Sequence, residues 1–266
     1  MRHGAAIVLA IILMLTLAPS AYSQASGSGT TIVRMEHLGP RSPMMLSNAR
    51  HTGISPFEGP RYGLVAWSAA VNGGLIGQPS IDADGRVILS TTAGWLYVLS
   101  PQGENLHTIR LSAPSSSTPA ITQDGNILVC SRDGQVTAFD ADLNTLWTQK
   151  VGPEILSNPA LDEQRRILAI SSKDTTAVLD TATGAIRFRW SAGNRKNNSS
   201  PTIGSDGILR ITNWGGIAVA LSASGTQLWR TNLGKSGFWS SPTLDRDGNL
   251  YTAGGRGRAA VALTSS

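Results

Sequence analysis

Side chains able to do chemistry are sparse in this sequence. Outside an apolar leader the histidines are His37, His51 and His107, and none stands at metal-ligand spacing from another. The single cysteine, Cys130, ends the apolar run Asn126 to Cys130, where a small buried hydrophobe fits better than a reactive thiol; no intrachain disulfide is possible. Asp82-Ala83-Asp84-Gly85 and Asp245-Arg246-Asp247-Gly248 match the opening of a calcium loop, but the rest of that loop and its distal Glu are absent, so hairpin turns account for them better. No Gly-x-Ser-x-Gly elbow or phosphate-cradling glycine loop stands out. The chemistry that remains is contact chemistry. Trp95, Trp214 and Trp239, with Arg195, Lys196, Lys235, Arg256 and Arg258, combine aromatic surface with positive charge and suit an anionic or protein partner. The expectation is a binding surface with no catalytic residue, metal or cofactor.

These residues need a scaffold, and length and composition allow one. The chain has 266 residues, 41% hydrophobic and 15% charged, enough to bury the core of one large all-β domain. Residues 1–23 read as a secretory signal peptide: Arg2 and His3 precede an apolar run from Ala5 to Leu17, and Ala21-Tyr22-Ser23 places small residues for cleavage before Gln24. That run is shorter than the ~20 residues a membrane-spanning helix needs. A secreted or periplasmic protein, with no transmembrane segment after signal removal, is expected.

A repeat organises the rest. Prolines preceded by a polar residue fall at Gln78-Pro79, Thr118-Pro119, Asn158-Pro159, Ser200-Pro201 and Ser241-Pro242, in steps of 40, 40, 42 and 41 residues. Four of them are followed by Asp-Gly, ending in Gly85, Gly125, Gly207 and Gly248, and the third copy has Gln164-Arg165 instead. Asp-Gly between β-rich runs signals a hairpin. A second turn at Gly94, Gly134, Asp174, Gly215-Gly216 and Gly254-Gly255 leads into a third strand. A third turn at Gly103, Asn144, Gly184 and Gly225 leads into a fourth, which holds Trp147 or Trp229, with His107 and Phe188 near the matching position. Four antiparallel strands in about forty residues describe a propeller blade. The fold class is therefore an all-β propeller with about five visible blades, and the tryptophans are expected to pack between neighbouring blades.

The phrases from Ala220 to Trp229 and from Leu179 to Gly184 resemble the tryptophan-docking repeat of the pyrroloquinoline quinone (PQQ)-like propeller family. Asn48 to Pro56, with Gly59-Pro60 and Trp67, is similar to the lead-in that precedes the first blade of secreted members. The resemblance divides the chain into the signal, a lead-in at 24–62 and propeller repeats at 63–266. Quinoprotein dehydrogenases share such repeats, yet the family's cofactor set of adjacent cysteines and a calcium-bound Asp/Glu/Asn group has no counterpart here, so the resemblance implies a scaffold without PQQ.

Trp67 stands as far before Pro79 as Trp147 stands before Pro159, so Gly63 to Ala70 reads as a fourth strand without its own blade, and the last repeat stops after its third strand. Pairing of Gly63–Ala70 with Ala259–Leu263 would close a five-bladed ring. The alternative, slightly favoured, is part of a larger propeller. Because a meander reverses at every strand, the Asp-Gly and third turns share one face, expected to be acidic. The second turns and inter-blade loops share the other, which carries the cationic and tryptophan set above. The expected function is a non-catalytic extracytoplasmic scaffold that binds a protein or anionic polymer, with no nucleic acid, through that basic face. A PQQ-dependent dehydrogenase, or a carbohydrate-binding or sensor propeller, are the alternatives.

Overall fold

The computed structural model describes residues 42–54, 59–191, 193, 199–234, 240–254 and 260–264. The expected signal peptide lies outside them. Five antiparallel sheets follow one another along the chain. Blade 1 holds β1 (Ser80–Ile81), β2 (Val87–Ser90), β3 (Trp95–Leu99) and β4 (Asn105–Arg110), and blade 2 holds β5 (Ala120–Ile121), β6 (Ile127–Cys130), β7 (Gln135–Phe139) and β8 (Thr145–Lys150). Blade 3 holds β9 (Ala160–Asp162), β10 (Ile167–Ser171), β11 (Thr175–Asp180) and β12 (Ile186–Ser191), and blade 4 holds β13 (Thr202–Ile203), β14 (Leu209–Thr212), β15 (Ile217–Leu221) and β16 (Gln227–Asn232). Blade 5 has three strands among the described residues, β17 (Thr243–Leu244), β18 (Leu250–Ala253) and β19 (Ala260–Leu263).

Local chemistry sets the first hairpin of each blade. Gly85, Gly125, Gly207 and Gly248 all sit at φ between 75° and 84°, where a Cβ would be strained, and in the third repeat Arg166 takes the left-handed position at φ 51°. An oxygen at the head of the turn gathers the backbone N–H groups: Asp82 Oδ1 accepts from Asp84 and Arg86, Thr122 Oγ1 from Asn126, and Asp245 Oδ1 from Asp247 and Asn249. Strands β6, β10, β14 and β15 are buried at every position; β6 and β15 are accordingly unbroken apolar runs, whereas β14 also buries Arg210 and Thr212. Their side chains meet between sheets. One apolar layer joins blades 1 and 2 through Ile88, Val98, Ile121 and Val129, a second joins blades 2 and 3, and a third joins blades 3 and 4.

The fourth-strand aromatic of one blade lies on the third turn of the next. A Cβ added to Gly184 would stand 2.5 Å from the Trp147 ring, one on Gly225 would stand 2.6 Å from Phe188, and one on Gly103 would stand 2.5 Å from Trp67. The indole N–H groups are satisfied there: Trp147 Nε1 donates to Thr181 O at 3.2 Å and Trp67 Nε1 to Pro101 O at 3.0 Å. Where the fourth strand carries His107 in place of an aromatic plate, the next turn has no glycine, and Leu143 takes the left-handed position at φ 69°. Ring and glycine go together because the ring occupies the space a Cβ needs. The matching turn for Trp229 lies beyond the described residues.

The polar residues before the repeat prolines link the blades a second time. Gln78 N–H donates to Thr118 Oγ1 at 2.9 Å, Thr118 N–H to Asn158 Oδ1 at 2.7 Å, Asn158 N–H to Ser200 Oγ at 2.9 Å, and Ser200 N–H to Ser241 Oγ at 3.0 Å. This relay runs once per blade, and its steps are those of the sequence repeat. Each link in this partly buried setting contributes about 1 kcal/mol and satisfies a main-chain donor.

The lead-in does more than precede the first blade. Residues 42–51 run along the innermost strands, whose inward N–H groups would otherwise form an open edge. Ile81 N–H donates to Ser42 O, Ile121 to Pro43 O, Ile203 to Ala49 O and Leu244 to Arg50 O, at 2.8 to 3.1 Å. Met44 is buried with the core of blades 2 and 3. His51 is 3% exposed, its Nδ1 lies 3.3 Å from Pro242 O, and its Nε2 has no partner among the described residues. Burial pulls its pKa down to about 4 against the opposing pull of the Pro242 carbonyl, so the ring is held neutral. Leu46, Ser47 and His51 all have positive φ, conformations imposed by the surrounding blades and not by their own preferences.

Among the described residues, Gly63–Ala70 does not pair with blade 5. Residues 63–70 carry no strand, and the sheet of blade 5 ends at β19, with Ala259 outside the described residues. The segment is held instead by blade 1: Trp67, Ala69 and Val71 pack on Leu89, Tyr97 and Leu99, Asn72 N–H donates to Tyr97 Oη, and Gly74 and Thr92 exchange two hydrogen bonds. The relay is open at the same place, since Gln78 Oε1 receives Leu46 N–H and not that of Ser241.

Two outcomes follow from these contacts. Gly184→Ala will destabilise the fold in urea unfolding by roughly 1–3 kcal/mol through overpacking against Trp147, and in a Trp147→Ala background the same change will cost only the conformational penalty of about 1 kcal/mol. The unfolded chain protonates His51 at its ordinary value of 6.5 and the folded chain only near 4, so this contribution to stability is complete above pH 6.5 and is lost as the pH falls through 6.5 to 4. The loss reaches about 3 kcal/mol, and the melting temperature of His51→Gln will fall less steeply than that of the parent between pH 7 and 4.

Candidate partner-binding face

The two ends of the blades differ in how their charges are used. On the Asp-Gly side, four of the carboxylates expected on an acidic face are paired with arginines close by in sequence. Asp82 pairs with Arg86 at 2.6 Å, Asp162 with Arg165 at 2.8 Å, Asp180 with Arg187 at 2.7 Å and Asp206 with Arg210 at 2.8 Å. The Arg187 guanidinium is the main cause holding the Asp180 carboxyl below its ordinary range. For Asp245 it is the Asn249 side chain, helped by the Tyr251 hydroxyl. These carboxylates serve turns, and a shallow cleft between blades 4 and 5 lined by Asp206, Asp245 and Asp247 is matched by Arg50, Arg210 and Arg246.

On the second-turn side, cations point outward. Trp95 opens β3, and the Arg110 guanidinium lies 4.6 Å from its ring centroid, a cation–π contact across a register pair of β3 and β4. Arg110 also donates to Ala93 O at 2.7 Å. One blade on, Lys150 at the end of β8 repeats that contact by donating to Asp133 O. The Asp133 carboxyl is held below its ordinary range: partial burial works the other way, but hydrogen bonds from Ser131, Ser112 and Gln135 N–H and the charge of Lys150 outweigh it.

Between blades 2 and 3, Lys150 borders an open groove of about 440 Å³, lined also by Gly152, Pro153, Asp174, Arg189 and Ser191 among others. Arg189 is steadied by donating to Lys150 O at 3.0 Å, so two exposed cations are set side by side against the one carboxylate of Asp174. Gly152 is fixed in place, since a Cβ there would stand 1.9 Å from the buried Ser172 Oγ.

Of the residues singled out from sequence, the structure locates Trp95 and Trp214. Trp214 lies half-buried in the second turn of blade 4, three blades round from Trp95, so the two do not form one patch. Arg195, Lys196, Lys235, Trp239, Arg256 and Arg258 lie outside the described residues. Sequence reading missed Arg110, Lys150 and Arg189. The available signal was positional: Arg110 and Lys150 both end fourth strands and therefore register beside the second turn. Cys130 is buried, and burial pushes its thiol up to about 12, which leaves it protonated. Among the described residues no group of three His, Cys, Asp or Glu could hold a metal ion, and no helix is long and apolar enough to cross a membrane.

Comparison with known proteins bears on this architecture. The family model described as outer membrane protein assembly factor BamB matches residues 58–157 and 132–213, together more than half of the chain. No curated protein matches the sequence. Among solved structures, BamB from Moraxella catarrhalis is similar at 21% identity with a TM-score of 0.56, over 68% of this chain and 59% of that one. The computationally designed Ika8 protein is similar at 12% identity with a TM-score of 0.61, over 70% and 57%. The chain therefore spans less than two thirds of either relative, and at these identities the likeness is one of fold. The repeat spacing, the antiparallel blades and a family match over more than half of the chain make this protein a member of the PQQ-like β-propeller family of outer membrane protein assembly factor BamB.

Proposed function

We propose that the chain is a non-catalytic, extracytoplasmic scaffold that binds an acidic surface of a protein partner through its second-turn face. The observation that carries this reading is the pair of exposed cations, Lys150 and Arg189, at the open groove between blades 2 and 3. Membership of the BamB family supports a partner within outer-membrane protein assembly. The leader-like residues 1–23 support export. Arg110 on Trp95 adds a second contact point, and Trp239, Arg256 and Arg258 extend the same face in the sequence reading. Charge placed this way guides encounter and orientation more than it adds raw affinity.

Cross-linked capture from the periplasm tests the assignment. The double variant Lys150→Glu/Arg189→Glu is expected to recover the main partner about tenfold less well than the parent, with the loss growing as salt is lowered. Trp239→Ala/Arg256→Ala/Arg258→Ala provides a second arm on the same face. Unchanged capture by both sets would remove the face from the binding account. Recovery of a soluble polyanion in place of a protein would redirect the reading to an anionic polymer.

A further inference from the structure

The shape and the two signs of charge in the groove between blades 2 and 3 select among acidic partners. Both of these blades have four strands, and the four-stranded blades 1 and 4 flank them, so both walls of the groove are formed within the described residues. The wall on blade 2 is the end of β8 with the connection after it, from Lys150 to Pro153, and the wall on blade 3 is Asp174, Thr175, Arg189 and Ser191. At about 440 Å³ the groove lies at the small end of ligand clefts, roughly 300–1,000 Å³, which is room for a few residues of chain.

Its polar groups are set in place before any ligand arrives. Arg189 Nη2 donates to Lys150 O at 3.0 Å and Lys150 Nζ donates to Asp133 O, so each cation is tethered by one bond to a main-chain carbonyl, and its remaining N–H groups have no hydrogen-bond partner among the described residues. Side chains held this way lose less freedom on binding than loose ones. Asp174 is held through its backbone, since Ser191 Oγ donates to Asp174 O at 3.1 Å, while its exposed carboxylate forms no ion pair among the described residues.

A ligand that satisfies both signs brings a carboxylate to Lys150 and Arg189 and an N–H donor to Asp174. A phosphate polymer brings no donor and repels Asp174. A folded acidic surface has most of its main-chain N–H groups already paired. An extended acidic peptide has both, because its side chains alternate in direction and its main-chain donors are unpaired. Resting on the binding role proposed for the second-turn face, we propose that the groove takes a short, extended acidic segment of a protein partner, with a Glu or Asp carboxylate of that segment on Arg189 and Lys150 and one of its main-chain N–H groups on Asp174.

Fluorescence anisotropy on the full chain tests this with three fluorescein-labelled probes: an alternating Ala-Glu hexapeptide amide, the same peptide N-methylated at every residue, and the alternating Ala-Lys hexapeptide amide. The Ala-Glu peptide is expected to bind and the Ala-Lys peptide not to, and Lys150→Glu/Arg189→Glu is expected to weaken the Ala-Glu peptide by at least about tenfold with its melting temperature unchanged. The parent should hold the N-methylated form about fivefold less tightly, and Asp174→Ala should abolish that difference. Equal binding of the two forms by the parent would overturn the proposal, as would inorganic polyphosphate binding more tightly than the Ala-Glu peptide at the same salt. Absence of peptide binding while partner capture still depends on Lys150 and Arg189 would overturn the extended segment and leave the binding face standing, whereas loss of that dependence as well would remove both.

Discussion

The inner strands of this protein are buried on both faces, and a single blade has no second layer in which to bury them. Neighbouring blades therefore supply each other's core, and the contact between blades, not the blade itself, is the unit of stability. The rest of the architecture follows from that constraint. Aromatic plates on the third turns at Gly103, Gly184 and Gly225 cover the outer rim of three contacts, the relay through Thr118, Asn158, Ser200 and Ser241 links the polar ends, and the lead-in covers the inner edges.

The same constraint sorts residues into those that hold and those that are free to meet a partner. Serines, threonines and carboxylates that would look reactive on a flexible surface are spent on turns and inter-blade bonds, such as Asp82 to Arg86 and Ser117 Oγ to Ser157 O. At strand ends on the second-turn side, Arg110 and Lys150 each reach back to a turn carbonyl and still present charge to solvent. The residues that recur in the repeat are thus the ones that join blades.

Much of the fold was legible in the sequence. The proline steps gave the blade count, Asp-Gly gave the hairpins, and Trp147 with Gly184 marked a docking contact, because each of these is a local requirement of backbone or volume. The candidate face was only partly legible. Trp95 was named without Arg110, its partner across the sheet, and Lys150 and Arg189 lie thirty-nine positions apart and meet only because their blades adjoin. The acidic face was read from a count of carboxylates, but Arg187 and Arg210 were not assigned to it, and both pair there with an Asp of their own turn region.

By itself the sequence determined periodicity and turn chemistry, since these depend on residues within one repeat. Only the tertiary structure decided where the lead-in goes and what residues 63–70 pack against. Residues 42–51 have no periodic pattern to betray a strap, and their partners Ile81, Ile121, Ile203 and Leu244 are spread over four blades. Trp67 reads the same whether its strand belongs to blade 5 or to none, because its own contact, Gly103, lies in blade 1. Pairing of an edge depends on where the two edges end up in space, and no local rule of composition or spacing carries that.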